Sequence, residues 1–450
     1  VELELRGDIS VRARFGSFSM ATIEGTARLL RRAVERGALH PANVRALGDS
    51  RLSCAALGFG AYRVGGGDET AHHGALSAAL RAGVNLVDTS SHYSAGGGKP
   101  GGGHGASERL VRRVLADAAE AGQVCREGVV ICTKLGHVER GAEPPPESVV
   151  IAQQGDVHGE DWHSIDPGFV EAEVRASGER LGTPPDFVLL HNPEYFLSAQ
   201  LVKRVPIADA WDEMYDRLER AFGALEALCD EGAIGHGYGV SGNFLSCLFS
   251  TTGRPNLYEA LALDRVVDAA ARAARRRGGS GHRLRLAQLP LNVFESGAVL
   301  GRGAAVPEAA GGDCAAAAGL KVALMSNRPL NALPMPGVSA GDWGRSASHL
   351  RLRDARPMGA VESLLRRVLS EALAEGGGGD ALPLQQLSLR LSLSAPSVAC
   401  CLNGMHDARY VQDAAAVLQA APFSAEQTVR ALQAARSAAE ELGCERRGLW

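Results

Sequence analysis

Residues 84–93 read VNLVDTSSHY: an apolar run closed by Asp88, then small hydroxyl side chains, then Tyr93. A short apolar run bounded by polar turn residues predicts a buried strand that ends at Asp88. The same form recurs downstream, where VVICTK (129–134) closes on Lys134 and DFVLLH (186–191) closes on His191. Further strand candidates lie at 55–60, 234–240, 285–289, 320–325 and 397–401, and segments of helical period separate them at 70–82, 106–119, 168–181, 211–231, 258–277 and 361–375. Strands that alternate with helices predict a parallel sheet, because each crossover must return to the same edge. Eight such units point to a closed (β/α)8 TIM barrel with an N-terminal extension and long loop insertions; a doubly wound open sheet is the alternative on pattern alone.

Outward from this centre, residues 1–42 form an extension expected to pack on the barrel, 43–425 the barrel itself and 426–450 a C-terminal helix. Within the extension, Thr22 to Gly37 predicts a helix with Thr22 as N-cap and Gly37 as its stop. Gly48-Asp49 marks the turn of a short hairpin ahead of the first barrel strand. Four stretches are read as loops at the strand ends, where barrel enzymes build their sites: 95–105, 136–164, 301–312 and 331–357, all rich in Gly, Ala or Pro.

Composition bounds the function. The chain has 450 residues, 45% hydrophobic and 22% charged, the balance of a globular protein with a large core. A net charge of −4 provides no global positive field for nucleic acid or an anionic membrane, so neither is expected as a partner. The nine cysteines are scattered without a C-x-x-C pair, which favours reduced thiols over a zinc site or a disulfide framework; Cys132, Cys400 and Cys401 are read as small core residues. No metal is expected, since no spacing gathers three or four ligands. His104, His137, His158 and His163 are accordingly read as loop histidines, and His92 as pointing to the opposite side of an extended segment from Tyr93. No apolar run reaches the roughly 18 residues that span a bilayer. The expected compartment is cytoplasmic, or an organelle should a targeting segment have preceded Val1.

Asp88, Lys134 and His191 close three successive strands, and Tyr93 follows Asp88 by five residues. Barrel closure would bring all four to one rim. Their chemistry is complementary. A carbonyl that receives hydride needs a proton on its oxygen, and an unaided phenol, with a pKa of about 10, is a weak acid. An ammonium beside it favours the phenolate and lowers that pKa. Lys134 is the candidate ammonium, Asp88 its anchor, and His191 the group that orients or polarises the carbonyl.

These residues and the words around them resemble the aldo-keto reductase family. RALGDSRLSCAALGFGAYRV (45–64) is similar to the family's opening hairpin and first strand. NLVDTSSHYSAG (85–96) with SERLV (107–111) resembles its second strand and loop. LLHNPEYF (189–196) and GAIGHGYGVSGNF (232–244) resemble the fourth- and fifth-strand motifs. The likeness runs from about residue 43 to 300 and more weakly to 420, and ATIEGTARLL (21–30) resembles the leader of a plant, algal and bacterial branch.

The resemblance implies an NAD(P)H-dependent oxidoreductase that reduces an aldehyde or ketone to an alcohol, or runs the reverse. Its candidate catalytic residues are Asp88, Tyr93, Lys134 and His191, and its partner is a small carbonyl or alcohol. It further implies nicotinamide across the barrel mouth, with Ser241 and Asn243 on the carboxamide and Gln288 assisting; Gly242 separates two residues that adjoin in the family. Arg328 in LMSNRPLNAL (324–333), where the family commonly places an aromatic, is a candidate for the pyrophosphate. Gly404, His406 and Arg409 in CCLNGMHDARYVQDAAAVL (400–418) are candidates for the adenosine end. The expected cofactor is NADP, by family habit, with NAD as the alternative. The altered seventh strand and Gly242 motivate a second reading: a catalytically silent scaffold or nucleotide-sensing subunit, which would bring a protein partner.

Overall fold

The computed structural model describes residues 19–93, 103–151, 161–242, 261–293, 295–300, 319–330, 359–373 and 382–441. The expected strands all form, each shifted by a few residues: β3 (Leu57–Gly60), β4 (Leu86–Asp88), β5 (Val130–Leu135), β8 (Phe187–His191), β9 (Gly237–Ser241), β10 (Leu284–Pro290), β11 (Ala323–Asn327) and β12 (Val398–Gly404). They close into one barrel in which neighbours in sequence are neighbours in space, and β12 returns to β3 through Cys401↔Leu57 and Gly404↔Gly60. The fold is a (β/α)8 TIM barrel, and the open-sheet alternative is excluded by that closure.

Period-2 alternation explains what each face of a strand does. On β5, Val130 and Cys132 point into the barrel while Ile131 packs outward under the helices. On β8, Phe187 and Leu189 point in while Val188 and Leu190 point out. The inner set is joined from below by Leu47, Leu52 and Cys54. These belong to a hairpin of β1 (Val44–Ala46) and β2 (Ser53–Ala55), paired antiparallel around a turn at Gly48–Ser50. Burying each such side chain is worth about 1.5–3 kcal/mol. The lower barrel is therefore a packed apolar plug, which leaves the opposite end for chemistry. Cys132 and Cys400 are fully buried in this core and Cys401 in the layer between strands and helices, as expected of small packing residues.

Helix α1 (Ile23–Glu35) is capped by Thr22, whose side chain accepts from the Gly25 N–H at 2.9 Å. A Cβ on Gly25 would stand 2.3 Å from the Glu127 carbonyl oxygen, so this helix can lie flush on residues 126–128 only with glycine there. Asp186 fastens the segment: its carboxylate accepts from the Ala21 and Ile131 N–H groups at 2.7 Å each and pairs with Arg126 at 3.0 Å. Asn85 ties the hairpin to the barrel in the same way, accepting from Ala55 N at 2.9 Å and donating to the Ser53 and Gly128 carbonyls at 3.0 and 3.1 Å.

One expected loop is partly ordered sheet. Within 136–164, β6 (Val149–Ile151) and β7 (Asp161–His163) pair antiparallel. This hairpin zips onto the end of β5 through Val138 N to the Trp162 carbonyl at 2.9 Å and Ser164 N to the Gly136 carbonyl at 2.8 Å. The expectation failed because the strands are only three residues long and lack an apolar repeat of their own; the backbone bonds to 136–138 stabilise them. The next helix, Pro167–Leu181, starts where Asp166 caps the Gly168 and Phe169 N–H groups. The last helix runs Ala425–Glu441. The Gly- and Pro-rich stretches at 301–312 and 331–357 lie outside the described residues, as does most of 95–105.

Candidate active site

The alternation that buries apolar residues lower in the barrel delivers polar ones at its mouth. Two residues beyond Leu86 the inward position is Asp88; two beyond Cys132 it is Lys134; two beyond Leu189 it is His191; two beyond Leu286 it is Gln288; two beyond Met325 it is Asn327. Ser241 ends β9 directly opposite Gln288. Six of the eight strands thus contribute a polar side chain to one layer, which lies at the C-terminal ends of the strands.

Lys134 is the centre of this layer. Its ammonium is completely buried and donates to Asp88 Oδ2 at 2.6 Å, to the Tyr93 hydroxyl at 2.8 Å and to the Thr89 carbonyl at 3.3 Å. These three acceptors match the three N–H bonds of an ammonium. The other Asp88 oxygen accepts from Gln288 Nε2 at 2.9 Å. The Gln288 carbonyl in turn accepts from Ser241 Oγ at 2.9 Å and Asn327 Nδ2 at 3.2 Å. Gln288 was expected at the nicotinamide; its bond to Asp88 is one that no linear spacing reveals.

Electrostatics follow from burial. Burial is the leading influence on Lys134 and opposes its charge, yet Asp88 and Tyr93 outweigh it and hold the ammonium above the ordinary lysine value. Burial also pushes the Asp88 carboxyl up, against the pull of Lys134 and Gln288. Tyr93 corrects an expectation: burial raises its phenol above the ordinary tyrosine value, and Lys134, the strongest opposing influence, offsets only part of that. The reason is that desolvation of a buried phenolate is larger than the gain from one ammonium already shared with Asp88. Tyr93 is therefore a neutral, protonated phenol near pH 7.

His191 lies edge-on to Tyr93, with ring centroids 5.9 Å apart and planes at 81°. Burial, then the Lys134 charge, hold its imidazole well below the ordinary histidine value, so it is neutral near pH 7. Its Nδ1 is buried without a hydrogen-bond partner among the described residues. Tyr62 closes the other side of Tyr93, 5.3 Å away and perpendicular.

The structure also gathers histidines read from the sequence as unrelated. His137 stacks on His92 at 4.1 Å and 13°, and meets His191 at 4.9 Å. His163 lies in β7 rather than in a loop, and its Nε2 bonds the His191 carbonyl at 2.6 Å. Gly136, at φ +145°, permits this approach: a Cβ there would lie 2.5 Å from His163 Nε2.

The residues expected at the adenosine end are only partly assembled. Gly404 lines a small pocket with Asn403, Tyr410, Asp413, Gln385 and Gln386. Arg409 does not line it; the guanidinium is exposed and bonds Asp407 at 2.8 and 3.0 Å. The Asp407 carboxylate, which also caps the helix Ala408–Ala415, is near enough to capture it. The His406 ring packs against Tyr410 at 5.2 Å and His72 at 6.1 Å. Arg328 follows β11 at φ +55°, its carbonyl accepting from Asn292. Asn243 lies outside the described residues.

This geometry can be set beside known proteins. The model of the aldo/keto reductase family matches residues 56–246, which span the strand ends bearing Asp88, Tyr93, Lys134 and His191. Among solved structures, an aldo-keto reductase from Bacillus halodurans in its holo form matches at TM-score 0.51 and 18% identity, covering 89% of this chain and 96% of that one. At that identity the likeness concerns the fold. Two Klebsiella pneumoniae aldo-keto reductase structures, one in complex with NADP and acetate and one with NADPH, match at TM-scores of 0.48 and 0.47 and 17% and 18% identity, each over 87% of this chain and 95% of theirs. No curated protein sequence matches the chain. No helix among the described residues is long and apolar enough to cross a membrane.

Proposed function

We propose that this chain is a nicotinamide-dependent carbonyl reductase in which Tyr93 protonates the carbonyl oxygen. One observation carries the reading: a fully buried ammonium bridges a carboxylate at 2.6 Å and a phenol at 2.8 Å, beside a neutral imidazole, at the mouth of a barrel.

The mouth fits a nicotinamide. A carboxamide needs a donor for its oxygen and acceptors for its N–H groups. Ser241 and the Gln288 and Asn327 amides offer both kinds, and Asn327 Oδ1 is buried with no partner among the described residues. A reduced nicotinamide bound there supplies the hydride. NADP is the form favoured by the family, and the neighbours from Klebsiella pneumoniae are described with NADP or NADPH.

The chain's own groups supply the proton. As the carbonyl carbon gains hydride, its oxygen becomes a far stronger base than phenolate. The Tyr93 O–H bond breaks toward that oxygen, and Lys134 stabilises the phenolate left behind. Asp88 holds Lys134 in place and keeps it charged, and Gln288 holds Asp88. His191 orients the carbonyl with a ring that carries no charge of its own.

The test is a panel of aldehydes and ketones with NADPH and NADH, run on the wild type and on Tyr93→Phe. General acid catalysis is typically worth about 10²–10⁴-fold, so kcat of the variant should fall by that order while NADPH binding, followed by nicotinamide fluorescence, persists. A Tyr93→Phe enzyme with unaltered kcat would remove Tyr93 from the reaction. Cofactor binding by the wild type with no turnover of any carbonyl would instead favour the silent, nucleotide-sensing reading.

A further inference from the structure

The flank of the mouth beyond His191 carries a row of imidazoles that carbonyl reduction does not require. Starting at Tyr93, ring centroids step 5.9 Å to His191, 4.9 Å to His137 and 4.1 Å to His92. Tyr195 braces the row edge-on, 5.8 Å from His137 and 5.4 Å from His163. His163 is committed: a carbonyl can only accept, so Nε2 carries the proton that it donates to His191 O. His92 and His137 are not committed. Stacking uses their faces, and no ring nitrogen of either finds a hydrogen-bond partner among the described residues.

Four edge nitrogens held rigidly beside a reacting centre are a recognition surface, and their chemistry restricts what they recognise. A metal ion does not suit them, because rings stacked face to face cannot aim their lone pairs at one point. No cluster of His, Cys, Asp or Glu among the described residues is arranged to hold one. Burial leads in keeping both rings neutral, and His104 beside His92, and His92 and His191 beside His137, reinforce it. A neutral imidazole presents one donor and one acceptor. A carboxylate answers only the donor, and an alkyl or aryl group answers neither and desolvates both. A hydroxyl answers both at once.

We propose that His92 and His137 form a hydroxyl-recognising subsite, and that the substrate is a carbonyl compound bearing hydroxyl groups on the carbons beyond its carbonyl. The proposal rests on the carbonyl reductase reading for the carbonyl itself, but the subsite is testable without turnover.

Two measurements test it. The first is the ratio of kcat/KM for glyceraldehyde to that for propionaldehyde, which share a three-carbon skeleton, in the wild type, His137→Phe and His137→Gln. General damage to the enzyme cancels in this ratio. It should fall at least tenfold in His137→Phe and recover in part in His137→Gln, whose amide keeps a donor and an acceptor. A ratio within twofold of wild type in His137→Phe overturns the proposal. The second follows the imidazole proton resonances of His92 and His137 by NMR as glycerol, 1-propanol or propionate is added. Shifts with glycerol and not with 1-propanol support the subsite. Equal response to both alcohols, no response to glycerol, or a larger response to propionate overturns it. Should no aldehyde be turned over, the carbonyl reductase reading fails, and the NMR result alone decides the subsite.

Discussion

The two flanks of the barrel mouth are built on opposite principles. On the Lys134 flank one ammonium, one carboxylate, one phenol and one amide close a network with bonds of 2.6–2.9 Å. On the His137 flank the rings are held by faces and edges at 4.1–5.9 Å, and the buried Nδ1 of His191 has no hydrogen-bond partner among the described residues. The first arrangement is charged and buried. The second is neutral, and its polar edges wait for another molecule. A buried charge must be satisfied within the fold, whereas a neutral ring can be left to the ligand at modest cost.

Breaking the first flank should be the larger perturbation. In Lys134→Met the Asp88 carboxylate loses its ammonium inside the barrel, a loss worth about 3–5 kcal/mol for a buried pair. The urea midpoint should drop accordingly, and an unchanged midpoint would mean that Asp88 is neutral in the wild type.

The second flank should show itself in pH dependence. Burial holds His163 down at about 4, while an unfolded histidine titrates near 6.5. Between these values the unfolded chain binds a proton that the native ring refuses, so stability rises with pH across the window and is lost as pH falls from about 6.5 to 4. His92, also held at about 4, acts with the same sign. Thermal unfolding from pH 7 to 4 should thus decline less steeply in His163→Gln than in the wild type. Parallel declines would show that His163 does not titrate differently in the two states.

The smallest effect sharpens the comparison by lying outside both flanks. Arg409 was expected at the adenosine end, but its guanidinium is exposed and occupied by Asp407. Arg409→Ala should leave the Kd for NADPH within about threefold, as exposed ion pairs are worth only ~0.2–1 kcal/mol. A tenfold loss would show that Arg409 leaves Asp407 to meet the cofactor.

Much of this was legible in the chain because it is local. Apolar runs of five to seven residues with helices between them point to a parallel sheet, and the residue that closes each run falls at a strand end. Asp88, Lys134 and His191 could be placed on one rim for that reason, and Tyr93 by its five-residue offset from Asp88. The bond from Gln288 to Asp88 was not legible, since it joins residues 200 positions apart. Nor was the imidazole row. His92, His137 and His163 occupy a turn, a strand exit and a hairpin too short to announce itself, and only the backbone bonds of residues 136–164 bring them to His191.

The sequence by itself determined the barrel and the layer at its mouth, because a period of two residues per strand settles which side chains face inward whatever the loops do. Only the tertiary structure decided how those side chains share protons and which neighbours they meet. Desolvation depends on everything packed around a group: that is why Tyr93 proved a weaker acid than its lysine neighbour alone would suggest, and why four histidines far apart in the chain became one surface.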